Sequence, residues 1–287
     1  KYIVIFYFFT CINLAICNQE VIHFMSANPF SFNDIISDLD NQEKQEVHGF
    51  LTFPNDIIDG KKFPVVIGVA GSKGWSQHHL DYLEKYRQEG IATFELQSFR
   101  SRGISSTVGT QIDVTHAMMI LDSYKALEEL SVHPNVDINN VAITGWSLGG
   151  GVALFSGWLP LKEAINTELK FSAHLSLYPP CFIIPELLDF TDSPIHILIG
   201  ELDNWVPADA CEDLVSDMKE NGININITIF EGAHHSFDRT TPVVVVDDAY
   251  NFSDCRLKMN KEGSVLMNFL SIPMSTPLLQ KIGLYFC

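Results

Sequence analysis

Three short segments hold side chains whose types and order suit nucleophilic catalysis. The first, Gly145-Trp146-Ser147-Leu148-Gly149, reads G-x-S-x-G. A strand-like run at 141–144 precedes it, and the small-residue run Gly149-Gly150-Gly151-Val152-Ala153 follows. A sharp strand-to-helix turn needs flanking glycines, because neighbouring backbone passes where a Cβ would stand. Such a turn would lift the Ser147 hydroxyl above the carboxyl end of a sheet, beside a helix N-terminus that favours negative charge. An ordinary Gly-Ser turn is the alternative, and the strand and helix on either side argue against it.

A serine hydroxyl is a weak nucleophile until a base takes its proton and a carboxylate holds that base in place. Both residue types lie downstream, each just after an apolar run. Gly200-Glu201-Leu202-Asp203-Asn204-Trp205-Val206-Pro207 follows 195–199, and Gly232-Ala233-His234-His235-Ser236-Phe237 follows 225–230. Read from the residues alone, the acid is Asp203 or Glu201 and the base is His235 or His234. The order serine, acid, histidine differs from those of chymotrypsin and subtilisin.

For these loops to converge, they must leave the same end of one sheet. Short apolar runs at 63–70, 91–96, 141–144, 171–177, 195–199 and 225–230 alternate with longer amphipathic stretches at 79–89, 109–130, 149–158 and 208–221. That alternation predicts an α/β fold, a mostly parallel sheet with helices on both faces. The run 46–53 alternates polar and apolar residues and suits an antiparallel edge strand. Gly90 and Gly222 stand where a left-handed helix cap favours glycine. Past residue 240 the pattern degrades: 243–246 reads as a strand or an apolar cover, and 255–267 has no clear period.

The 287 residues carry 35 Asp+Glu against 18 Lys+Arg, a formal charge of −17. Such an excess repels phosphate backbones and anionic lipids, so nucleic acid is set aside as a partner. A hydrophobic content of 46% indicates a globular chain, and the length suits one large domain. Residues 1–17 hold one basic residue, an apolar run and Ala15-Ile16-Cys17, which reads as a secretory signal peptide. Cleavage before Asn18 would leave a single domain over 18–287, secreted or periplasmic. Acylation of Cys17 is less favoured because the bulky Ile16 precedes it. No second apolar stretch could span a membrane, so no stable membrane partner is expected after cleavage. The remaining cysteines, Cys181, Cys211, Cys255 and Cys287, suggest up to two disulfides in an exported chain. Cys181 and Cys211 are expected to pair because both lie just after neighbouring strands. No feature of the sequence sets an oligomeric state.

The chain resembles the dienelactone hydrolase family of α/β-hydrolases, its exported serine members in particular. The resemblance rests on G-W-S-L-G-G at 145–150, G-E-L-D-N-W-V-P at 200–207 and G-A-H-H-S-F-D at 232–238. Q-S-F-R-S-R-G at 97–103 and Y-P-P-C at 178–181 add to it. It implies an α/β-hydrolase fold and cleavage of a small-molecule carboxylic ester through an acyl-enzyme on Ser147, with no metal or organic cofactor. Asp203 becomes the acid by this resemblance, and His235 the base, since it directly precedes a small residue and Phe. The name-giving members carry Cys where this chain has Ser147, which moves the expectation from dienelactones to carboxylic esters in general. An oxyanion hole is implied from the backbone N–H groups of Leu148 and Ser72, with Ala70 standing where the family has His. Family members continue into a further helical segment, so the end at Cys287 reads as a truncation.

Other residues are candidates for holding substrate. Trp75, Trp146 and Trp205 border the proposed loops and could form an aromatic wall, with core packing as the competing role. Arg100 and Arg102, expected in a loop at the active end of the sheet, could bind a substrate carboxylate or pair internally. Lys73 could steer anions or simply be solvated. His78-His79 and His234-His235 lack a metal-ligand spacing. Two rival functions remain: a small peptidase related to prolyl oligopeptidase, and a non-catalytic binding module on the same fold. The first usually carries a propeller for which this chain has no room; the second usually lacks a triad member, and none is missing here.

Overall fold

The computed structural model describes residues 19–54, 60–247 and 249–287. The export segment read at 1–17 lies outside the described residues. In chain order the elements are β1 (Gln19–Ala27), α1 (Phe32–Asp38), β2 (Lys44–Thr52), β3 (Phe63–Val69), α2 (Gln77–Gln88), β4 (Ala92–Leu96) and α3 (Ser98–Ser101). Then come α4 (His116–Ser131), β5 (Val136–Trp146), α5 (Leu148–Phe155), α6 (Leu159–Ile165), β6 (His174–Leu177) and β7 (Ile183–Pro185). The last are β8 (Ile195–Gly200), α7 (Ala208–Glu220), β9 (Ile225–Phe230), β10 (Leu257–Met259) and α8 (Pro277–Tyr285).

Eight strands form the main sheet in the order β1-β2-β4-β3-β5-β6-β8-β9. From β4 to β9 neighbours run parallel, while β2 is antiparallel to both β1 and β4. The parallel strands are buried because crossover helices cover them: β3 holds Val65, Ile67 and Val69 almost wholly inside, and β8 does the same with Ile195, Ile197 and Ile199. Both faces carry helices. Gly68 lies against Leu83 of α2, whereas the Ser176 hydroxyl on β6 donates to the Gly150 carbonyl of α5 at 2.5 Å. Gly68 pairs with Thr144 and Ser176 with Gly145, so the two contacts fall on opposite sides of the pleat. This is the α/β-hydrolase fold.

Three local expectations need correction. Strand β2 is antiparallel as expected but is not the edge, because β1 pairs along its whole length. Residues 243–245 are neither strand nor cover: Val243, Val244 and Val245 stand exposed. Arg100 lies in the short helix α3 rather than a loop, with Arg102 as its cap. Gly90 and Gly222 do take positive φ, 82° and 80°, just after α2 and α7.

Beyond the main sheet, β10 pairs in parallel with β7. Cys181 bonds to Cys211, the expected pair, and Cys255 bonds to Cys287, which ties the chain end back onto the start of this small sheet. Among the described residues, no helix is long and apolar enough to cross a membrane.

Candidate active site

Strand β5 ends at Trp146 and α5 begins at Leu148, leaving Ser147 alone at the corner with φ 57° and ψ −113°. A non-glycine residue there is strained by on the order of 1–3 kcal/mol, so the surroundings must hold it. They do so by close backbone contact. A Cβ on Gly145 would collide with the Gly149 carbonyl, and one on Gly149 with the Val69 carbonyl of β3. Ser147 N–H donates to Leu177 O at 2.9 Å, fixing the corner to the end of β6.

The other two loops arrive at the same end of the sheet. After β8, Asp203 is buried, and its Oδ1 accepts from the backbone N–H groups of Trp205 at 3.0 Å and Val206 at 2.9 Å. Its Oδ2 stands 2.7 Å from His235 Nδ1. After β9, His235 places Nε2 3.0 Å from Ser147 Oγ. A carboxylate beside Nδ1 keeps the proton on that nitrogen, which leaves Nε2 free to accept from the serine hydroxyl. The geometry also separates the alternatives. His234 is exposed and its ring faces the Leu202 carbonyl at 3.2 Å, while Glu201 accepts from Gly232 N–H at 2.8 Å and braces the two loops.

Leu148 opens α5, so its N–H has no acceptor within the helix, and it borders a cavity next to Ser147. Ser72 borders the cavities on both sides of Ser147, as does Trp205. Trp146 lines only the smaller one. Lys73 borders the smaller cavity as well, whereas Trp75, Arg100 and Arg102 do not reach the site. Trp75 donates its indole N–H to Leu96 O at 2.9 Å and packs behind Trp146, with ring centroids 6.2 Å apart. Arg100 is exposed and borders neither cavity. Arg102 is spent elsewhere, in a buried fork with Asp122 at 2.7 and 3.1 Å.

One residue that the motifs did not single out is Asp238. Its side chain is almost wholly buried, and it accepts from Trp146 Nε1 at 3.0 Å and from the Tyr178 hydroxyl at 2.8 Å. Trp146 directly precedes Ser147, and the Tyr178 ring packs on His235 with centroids 4.7 Å apart. Asp238 therefore clamps the histidine loop to the serine corner. Burial and the nearby Asp238 carboxylate push the Tyr178 hydroxyl well above its ordinary pKa, so it remains a donor. His79 stacks on Trp146 at 4.5 Å, and burial, aided by His78 and Arg239, lowers its pKa to about 2. A G-x-S-x-G pattern announces its serine, but no short pattern announces that Asp238 serves two rings at the ends of the neighbouring strands β5 and β6.

The fold has relatives among solved structures. A candidate dienelactone hydrolase from Klebsiella pneumoniae subsp. pneumoniae superposes with a TM-score of 0.54 at 19% identity, over 76% of this chain and 88% of that one. A thermophilic esterase from Thermogutta terrifontis with propionate bound gives 0.53 at 19%, over 74% and 85%. A candidate dipeptidyl aminopeptidase IV from Bacteroides ovatus gives 0.52 at 15%, over 76% of this chain but 33% of that one. No curated protein sequence matches the chain. The sequence profile of the dienelactone hydrolase family matches residues 47–258. That span holds every strand that delivers the three loops, and the chain belongs to the dienelactone hydrolase family: it is a hydrolase acting on a small molecule.

Proposed function

We propose that this chain is a serine hydrolase that cleaves carboxylic esters through an acyl-enzyme, with Ser147, His235 and Asp203 as its triad. The observation that carries the reading is the continuous relay from Ser147 Oγ to His235 Nε2 at 3.0 Å and from His235 Nδ1 to Asp203 at 2.7 Å. His235 takes the serine proton as Oγ bonds to the ester carbon. Asp203, held by two backbone N–H groups, keeps the ring oriented and stabilises the imidazolium that forms. The carbonyl oxygen, now negative, lies against the backbone N–H groups of Leu148 and Ser72, aided by the N-terminus of α5. His235 then protonates the departing alcohol. Water, deprotonated by the same ring, attacks the acyl-serine and releases the acid.

Two disulfides support export, since such bonds persist in oxidising compartments. With residues 1–17 as the cleaved signal and 18–287 as a single α/β-hydrolase domain, the enzyme is secreted or periplasmic.

Hydrolysis of p-nitrophenyl acetate by the purified chain tests the reading. Ser147→Ala should lower kcat by roughly 10⁴-fold or more, and Asp203→Asn by about 10⁴-fold, with folding retained. Equal rates for wild type and Ser147→Ala would sink the mechanism. A peptide p-nitroanilide cleaved faster than the ester would make the chain a peptidase, and turnover of neither a binding module.

A further inference from the structure

Two cavities meet at Ser147, and they differ in size and lining. The larger, about 120 Å³, runs from Leu148 beneath Phe30 and Phe32 of the N-terminal segment and beneath Val265, Met274 and Leu284 near the C-terminus. The smaller, about 40 Å³, is bordered by His235, Lys73 and Arg239. Only the smaller of these two borders His235. When an ester is cleaved, the departing alcohol oxygen must receive its proton from His235 Nε2, so the alcohol leaves on that side. The group on the other side of the carbonyl carbon then enters the larger cavity.

Although the chain carries a formal charge of −17, no Asp, Glu, Lys or Arg among the described residues borders the larger cavity. Of its polar side chains, Thr115 and Gln280 are engaged with protein, while the buried His116 Nε2 has no hydrogen-bond partner among the described residues. Thr115 donates to Pro29 O and accepts from Met118 N–H, and Gln280 donates to the Gln111 carbonyl. Burial lowers the His116 pKa to about 4, so that ring is neutral at pH 7. A carboxylate placed here would lose its water and gain no counter-charge, whereas a hydrocarbon chain loses nothing.

We propose that the acyl half of the substrate is an uncharged, apolar chain of several carbons, seated in this larger cavity. The inference rests on the reading of Ser147 as an ester-cleaving nucleophile. Part of the cavity wall comes from outside the matched family span: Phe30 and Phe32 precede residues 47–258, and Val265, Met274 and Leu284 follow them. Its roof is held in two ways. Leu257 on β10 pairs with Ile183 on β7, both of which line the cavity, and the Cys255–Cys287 disulfide closes the segment that carries α8.

The test compares kcat/KM of the disulfide-intact chain for p-nitrophenyl acetate, p-nitrophenyl hexanoate and the six-carbon half-ester that ends in a carboxylate. Each buried methylene is worth up to about fourfold, so hexanoate should exceed both other esters at least tenfold. Leu284→Trp and Val265→Trp, which fill the cavity from two separate elements, should each cut the hexanoate-to-acetate ratio at least tenfold. The proposal fails if wild type cleaves acetate or the carboxylate-ended ester as well as hexanoate, or if both variants leave the ratio unchanged. Those results with acetate turnover still dependent on Ser147 would overturn the acyl assignment alone. No turnover of any ester would overturn the reading beneath it as well.

Discussion

The serine corner is held by a carboxylate that takes no part in the proposed proton relay. Asp238 bonds the residue before Ser147 and the ring that packs on His235, so removing its charge loosens both partners together. Charge-assisted hydrogen bonds of this kind are worth about 1.5–3 kcal/mol each. Asp238→Asn keeps the shape and weakens the acceptor, and is expected to lower kcat about tenfold while KM changes little. A purely structural role would lower thermal stability and leave kcat per folded molecule intact. Legibility at this scale followed chemistry that is local in sequence. Ser147 stood out through its glycines; position after apolar runs narrowed its partners to Asp203 or Glu201 and to His235 or His234, and the family resemblance chose between them. Trp75 and Arg102 each kept two readings because the sequence shows which loop carries a side chain but not which way that chain turns; the fold gives Arg102 the internal acidic partner and Trp75 the packing role. Trp75 turns inward to a carbonyl of β4, and Arg102 turns toward α4.

Among the elements, β1 depends on that same arginine. Arg102 uses all five of its N–H groups: two on Asp122 in α4, and one each on Asn28, the Ala27 carbonyl and the Ser98 carbonyl. Ser26 donates to Asp122 at 2.6 Å, so strand, short helix and long helix share one buried node. Arg102→Ala leaves Asp122 charged and buried, which is expected to cost about 3–5 kcal/mol in urea denaturation. Lysine, lacking the planar fork, should not restore it. An unchanged midpoint in Arg102→Ala would refute this account. The node also explains what the sequence hid. Strands β3, β5 and β8 were legible because burial on both faces requires nearly continuous apolar runs. Strand β1 begins Gln19-Glu20 and exposes most of its first half; its pairing comes from β2 and the Arg102 node rather than from its own pattern. The seven residues of α1 are too few for a readable period, and their start is marked only by the Ser31 and Asp34 capping box. Conversely, residues 243–246 have strand-like composition, and no strand among the described residues pairs with them.

Taken as a whole, the molecule buries several neutral histidines. Burial lowers His116 and His174 to about 4 and His79 to about 2, all below the unfolded value near 6.5. Above pH 6.5 neither state binds protons at these rings, so they add no slope. As pH falls from 6.5 toward 4, the unfolded chain takes up protons that the folded one refuses, and stability declines by up to about 1.4 kcal/mol per pH unit for each ring. Urea midpoints measured between pH 7 and 4.5 should fall accordingly, and His174→Gln should flatten the decline. A slope unaltered by that change would place the acid sensitivity elsewhere.

The strand order has a further consequence, for the time course of folding. Ser147 and His235 stand 88 residues apart in the chain, and the strands that carry them, β5 and β9, are separated in the sheet by β6 and β8. No local segment can assemble the site; it exists only once three parallel pairings, each with its crossover, are in register. Pairings this distant in sequence form late, after helices that need only near neighbours. Recovered turnover after dilution from denaturant is thus a clock for the slowest half of the sheet, and it should trail the return of helical signal.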